Sequence, residues 1–198
     1  MYLLKKKDLL KKIRDSVDIC RKCELYKSKT NSVPGEGCFN ADILFIGEAP
    51  GRNEDLKARP FVGRSGKILD ELLNSINLTR EDVFITNIIK CRPPKNRNPK
   101  KNEIEACSIY LEKQIKIINP KIIATLGNFP SSFIFEKNGL EYNKISNIHG
   151  KAYKVIKDNQ ELIIFPIFHP AVAVYNINKK DLLLKDFKVL AYYLQKCQ

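Results

Sequence analysis

Ile43-Leu44-Phe45-Ile46-Gly47-Glu48-Ala49-Pro50-Gly51 is the stretch that decides how this chain folds. Four consecutive apolar residues are too few for a helix and read as a buried strand. The run stops at Gly47, and Pro50-Gly51 forces a turn. A carboxylate, Glu48, is thereby carried to the tip of a strand, the place where open α/β sheets bind ligands. On its own the segment is equally an ordinary strand exit with a solvated Glu, because a short motif without context is weak.

Context comes from the segments on either side. Val83-Phe84-Ile85-Thr86-Asn87-Ile88-Ile89 is a second strand, rich in β-branched residues and interrupted by one amide. A buried Asn must be hydrogen-bonded, either to a neighbouring loop or to a ligand. Residues 121–127 form a third strand. Residues 152–157 and 162–168 look like two arms of a hairpin or an added edge, the second delivering His169-Pro170. Helical spacing is expected over residues 3–18, 67–76 (capped by Ser65), 102–118, 130–136 and 180–196. Residues 27–42 and the polar run 52–59 read as loops. Strands alternating with helices imply a mostly parallel sheet covered on both faces. In such a sheet Glu48, Asn87 and His169 stand at the same end. Phe61, in Pro60-Phe61-Val62-Gly63, is held in a loop, where it either plugs the core or faces a ligand.

Composition narrows the partner. The 198 residues suit one domain, and 43% hydrophobic residues is ordinary for a globular chain. A net charge of +13 is not ordinary. It points to a polyanion, nucleic acid before anionic membrane, although a Lys- and Asn-rich composition alone raises it too. The apolar runs fall short of the roughly 18–20 residues of a membrane span. The N-terminus lacks the apolar core of a signal peptide. A cytoplasmic protein, nucleoid-associated through DNA, is expected.

In that setting six Cys are metal ligands or buried thiols rather than disulfides. Cys20-Arg21-Lys22-Cys23 is a C-x-x-C pair, Cys91 follows the second strand and Cys107 lies on the next helix. Four thiolates suit zinc or an iron–sulfur cluster. Cys38 and Cys197 have no partner at ligand spacing and read as structural or incidental.

Taken in order, these segments resemble the family 4 uracil-DNA glycosylases, the iron–sulfur members of the uracil-DNA glycosylase superfamily. The likeness rests on the C-x-x-C pair, Gly47 to Gly51, Pro60 to Gly63, Thr86-Asn87-Ile88-Ile89-Lys90-Cys91-Arg92-Pro93-Pro94, the helical Cys107 and His169-Pro170-Ala171. It implies a three-layer α/β/α fold with a central four-stranded mostly parallel sheet, one domain over residues 1–198, acting as a monomer. It implies a [4Fe-4S] cluster on Cys20, Cys23, Cys91 and Cys107, and excision of uracil from DNA to leave an abasic site. Glu48 and His169 would be catalytic. Gly47, Ala49, Phe61, Asn87 and His169 would hold the base. Arg52, Arg64, Lys67, Arg92 and Arg97, with the rest of the basic loop to Lys101, would hold phosphates. Val172 and Val174 would fill the gap left by the flipped base. The superfamily's best-known branch has Asp where Ala49 stands and Tyr where Gly51 stands, which leaves both roles open and makes Glu48 the nearest carboxylate.

Three other readings compete. A uracil-DNA binder that traps without excising would carry an inserted basic loop, which is absent after Gly63-Arg64-Ser65-Gly66. A zinc-dependent nucleic-acid module would share the cysteines. A P-loop nucleotide phosphatase or kinase is poorly supported, since Gly63-Arg64-Ser65-Gly66-Lys67 runs into Ile68 and lacks the upstream Gly and the Ser/Thr of a P-loop.

Overall fold

Alternation along the strands sorts the core into two halves. The computed structural model describes residues 2–157, 159–176 and 178–196, the side chains of residues 2–4 excepted, so Cys197 lies outside the described residues. In chain order the elements are α1 (Tyr2–Asp18), β1 (Glu36–Gly37), β2 (Ile43–Gly47), α2 (Arg52–Lys57), α3 (Arg64–Asn74), β3 (Phe84–Asn87), α4 (Lys101–Ile118), β4 (Ile122–Leu126), α5 (Asn128–Lys137), α6 (Ile145–Ile148), β5 (Tyr153–Lys157), β6 (Gln160–Ile167), α7 (Ala171–Tyr175) and α8 (Asn178–Lys196). Leu44, Ile46, Phe84, Ile123 and Ile164 point to one face and pack with Val17, Leu111 and Phe135 from α1, α4 and α5. Ile43, Phe45, Ile85, Ala124 and Phe165 point to the other and pack with Leu72 and Phe187 from α3 and α8. A strand has period two, so a central strand covered on both faces must be apolar at every position, as all five residues of β2 are.

The sheet has six strands in the order β1-β3-β2-β4-β6-β5. The inner four, β3, β2, β4 and β6, are parallel. The expected four-stranded sheet is therefore present, with an antiparallel strand added at each edge: β1 on β3 and β5 on β6. β1 was hidden in a stretch that reads as loop because it is two residues long and contains Gly37. α2 and α6 were missed for a related reason: both are short and carry no apolar stripe long enough to show helical spacing. The strand expected over 83–89 is shorter, since Ile88 and Ile89 only donate their N–H groups to Gly47 O and Glu48 O as the chain leaves the sheet.

From β2 the chain moves outward to β3 through α3. It then crosses back over the opposite face through α4 to β4, on the other side of β2. Strand order thus reverses at β2, which opens a crevice at the carboxyl ends of the strands. Glu48, Asn87, Gly127 and His169 all sit at that end.

Candidate active site and cysteine centre

A cavity of about 430 Å³ occupies the crevice. It is lined by Glu48 and Ala49 from the β2 exit, Phe61, Asn87, Arg97 and His169, together with Glu54 and Ser65. Gly47 does not line it but backs two residues that do, Asn87 and Phe61. A Cβ there would collide with Asn87 Oδ1 and lie 2.7 Å from Phe61 Cζ, so only glycine lets the amide and the ring approach each other. Arg52, Arg64, Lys67 and Arg92 do not line the cavity. Arg52 and Arg64 open α2 and α3, and Arg52, Arg64 and Lys67 are exposed.

The Asn87 residue is 2% exposed, yet among the described residues its carboxamide takes no hydrogen bond from protein, and no buried side-chain N or O is left without one. The small exposure that remains is therefore at the amide, which faces the cavity. Its backbone is pinned by pairing with Gly47 and by Lys90.

His169 is fixed in one tautomer. Its Nδ1 accepts the Ala171 N–H at 3.1 Å, so the ring proton of the neutral imidazole sits on Nε2. Burial pushes the imidazole down to about 4, against a smaller upward pull from Glu54, and the ring is neutral at pH 7. Phe61 lies 5.7 Å from it, centroid to centroid, with planes 30° apart. Burial also raises the Glu48 carboxyl above its ordinary range.

Two residues that the sequence did not single out hold this arrangement. Glu54 Oε1 accepts the N–H groups of Val62 and Gly63, both at 2.9 Å. Those bonds tie down the backbone that enters α3, which begins at Arg64 after Gly63 with no side-chain cap, three residues before the start at Lys67 that Ser65 was expected to cap. Arg80 donates to Pro60 O at 2.9 Å and to Phe61 O, and is itself paired with Glu36 at 2.7 Å and Asp70 at 2.6 Å. Phe61 has φ +52°, a costly conformation for a residue with a Cβ, and these bonds hold it there. Gly66 packs its Cα directly on the Phe61 carbonyl. Glu54 sits six residues beyond Glu48 in a run that looks like polar loop, and Arg80 lies in a turn, so neither has a local signal.

The basic loop is less free than its charges suggest. Arg97 is bidentate to Glu103, at 2.6 and 2.9 Å, and Arg92 Nε donates to Asn96 Oδ1 at 2.7 Å. Lys90, which reads as the first cation of that loop, is fully buried. Its Nζ donates to Thr86 Oγ1, Asn87 O and Gln114 Oε1 at 2.6–2.7 Å, and burial pushes its ammonium down to about 7.

Cys20, Cys23, Cys91 and Cys107 come from three separate segments to line one tight recess of about 10 Å³. Burial raises the Cys91 thiol to about 12, the Cys107 thiol to about 11 and the Cys23 thiol in the same direction. Lys90 N–H points at Cys107 Sγ, 3.3 Å away. Among the described residues no three His, Cys, Asp or Glu side chains converge tightly enough for one ion. Cys38 lies elsewhere, packed beside the core next to β1.

The chain is similar to known proteins over most of its length. The description of the uracil DNA glycosylase superfamily matches residues 34–193. A type-4 uracil-DNA glycosylase of Sulfurisphaera tokodaii is 50% identical over 182 residues, 91% of this chain and 83% of that protein. One of Archaeoglobus fulgidus is 50% identical over 85% of each chain. One of Thermotoga maritima is 36% identical over 96% of this chain and 97% of its own length.

Proposed function

The chain belongs to the type-4 uracil-DNA glycosylases of the uracil DNA glycosylase superfamily, and on that footing we propose how its residues excise uracil. It is a DNA-repair enzyme that removes uracil from DNA by hydrolysing the N-glycosidic bond. A base inside a duplex is out of reach and must be flipped out, at a cost of a few kcal/mol. Phe61 stacks on the extruded ring, a contact worth about 1–3 kcal/mol. The Asn87 oxygen accepts uracil N3–H and its NH₂ donates to O4. Cytosine presents the reverse pattern there and is rejected. The single observation that carries this reading is the Asn87 carboxamide, buried beside Phe61 with no protein partner among the described residues.

As the bond breaks, negative charge builds on the base. His169 Nε2–H donates to O2, and a preorganised neutral donor of this kind often supplies the largest catalytic term. Glu48 offsets positive charge on the sugar or positions the water that becomes the new hydroxyl at C1′, while the departing base takes a proton. Ala49 leaves no carboxylate of its own on that wall, which is why Glu48 is assigned the role. Arg52, Arg64, Lys67, Arg92 and Arg97 hold backbone phosphates, Arg97 less freely than the others because of Glu103. For the gap left in the stack, Tyr175 fits better than Val172 or Val174. Tyr175 is 81% exposed at the end of α7, whereas Val172 is packed against the core.

Cys20, Cys23, Cys91 and Cys107 hold a [4Fe-4S] cluster. An all-sulfur donor set gathered round one recess from three segments supports this. Bound there, the cluster would supply a rigid cross-link between the N-terminal segment, the loop after β3 and α4; hydrolysis needs no redox step. The six strands form one continuous sheet, which supports a single domain over residues 1–198, and the monomer is the proposed state.

The test is incubation with a uracil-containing oligonucleotide followed by alkali. A strand break at the uracil with release of free base is expected, together with a loss of about 100-fold or more in Asn87→Ala. No break would sink the enzyme reading. Capture of the DNA without free uracil would favour a trapping protein instead.

A further inference from the structure

A second groove, of about 750 Å³, runs between α4, α5 and the segment before α6. Phe129, Phe133 and Tyr142 line it, with the exposed cations Lys101 and Lys144. Phe133 and Tyr142 pack partly on the core, but Phe129 belongs to neither core cluster, so folding gives it no employment. Lys101 and Lys144 have no carboxylate partner among the described residues, in contrast to Lys137, which is paired with Glu112 at 2.7 Å. Glu105 and Glu136 also face the groove, which leaves its lining one charge positive.

Building on the excision reading above, we propose that this groove holds the unpaired DNA strand flanking the excised nucleotide, with a base stacked on Phe129 and a phosphate near Lys144. Continuity with the pocket is the main argument. One loop borders both spaces: Pro93, Asn96, Arg97 and Asn98 face the pocket, and Pro99 and Lys101 the groove. At the other wall Asn128 lies in the groove, its Oδ1 accepting Tyr142 Oη–H at 2.8 Å and Ile145 N–H at 3.2 Å. Gly127, the residue before it, abuts His169, since a Cβ there would lie 3.2 Å from His169 Cβ. A strand leaving the pocket thus enters the groove within a residue or two. Its chemistry selects an unpaired strand over a duplex, because only unpaired bases expose the faces that aromatic rings stack on, and flanking cations follow the phosphates.

The experiment compares wild type with Phe129→Ala and Lys144→Glu. Affinity for a uracil-free single strand of about 20 nucleotides is measured by fluorescence anisotropy over a salt series. The same is done with a strand of about five nucleotides and with a duplex. Each variant should weaken binding of the long strand by about 5- to 20-fold. Lys144→Glu should also flatten the log–log salt slope by about 0.7 or more. Short-strand binding and the single-turnover excision rate at saturation should be unchanged. Wild-type affinity and salt slope in both variants would overturn the proposal, in favour of a peptide or a second copy as occupant. An equal loss on the short strand or on duplex would also overturn it. Failure of the wild-type protein to release uracil would sink the excision reading, while the uracil-free binding series still decides the groove.

Discussion

At the scale of single residues, the site depends on groups that folding alone would not choose. Glu48 is half-buried with its pKa raised by burial, so the folded state binds its proton more tightly than the unfolded chain does. Stability from that proton is present below the ordinary carboxylate range and is lost as pH rises through the folded value. At pH 7 the buried charge is a net cost, offset by its use in catalysis. Glu48→Gln is expected to raise the melting temperature at pH 7 while slowing single-turnover excision by about tenfold or more. A variant that is faster, or no more stable, would contradict this. His169 has the opposite sign. Its folded pKa, about 4, lies below the ordinary 6.5, so the unfolded chain takes up the proton first. Stability is fully present above about 6.5 and falls as pH drops through the folded value. In urea titrations, His169→Gln should flatten the loss of stability between about pH 6.5 and 4; an unchanged slope would place that loss elsewhere.

At the scale of elements, the sheet brings the ends of β2, β3 and β6 together, and two short helices finish the site. α2 carries Glu54 under the Phe61 loop, and α7 carries Tyr175 out to solvent. Both were illegible in the sequence for the same reason. A helix of five or six residues has too few apolar positions to show a period, and its function lies in contacts that the chain order does not encode. If Tyr175 fills the vacated stack, Tyr175→Ala should lower excision from duplex DNA by about tenfold and affect single-stranded substrate much less, since only a duplex has a gap to fill. Equal rates on duplex for variant and wild type would rule the wedge out. The long elements were legible. α1, α4 and α8 show their spacing over four or more turns, and β2 and β4 are short runs of buried residues, apolar but for Thr125.

At the scale of the whole molecule, the cysteine recess and the pocket are two ends of one construction. Cys91 follows β3 directly, Cys107 is on α4, and the loop between them borders the pocket and is anchored to α4 through Arg97 and Glu103. A cluster on the four cysteines would therefore order that loop. Cys91→Ala is expected to lose iron, measured by absorbance and metal analysis. It should weaken DNA binding by about tenfold or more, or fail to fold. A soluble, iron-free and fully active Cys91→Ala protein would refute the structural role. No helix among the described residues is long and apolar enough to cross a membrane.

The sequence by itself determined the parallel α/β core, through apolar runs of strand length alternating with amphipathic helices. It also named the residues at the strand ends, because a polar group at the end of a buried strand stands out against its neighbours. Tertiary structure alone decided which of these residues share a cavity and what each is bonded to. The Ala171 amide sets the His169 tautomer, Gly47 gives Asn87 and Phe61 room, and Glu54 and Arg80 hold a backbone strained at Phe61. It also showed that Lys90 is an interior side chain rather than a surface one. Each of these depends on contacts between groups distant in sequence or on the path of the backbone, and local pattern carries no trace of either. Glu48 spans both levels: chain order alone brought it to a strand end, and only the folded surroundings show it half-buried with its carboxyl held above the usual range.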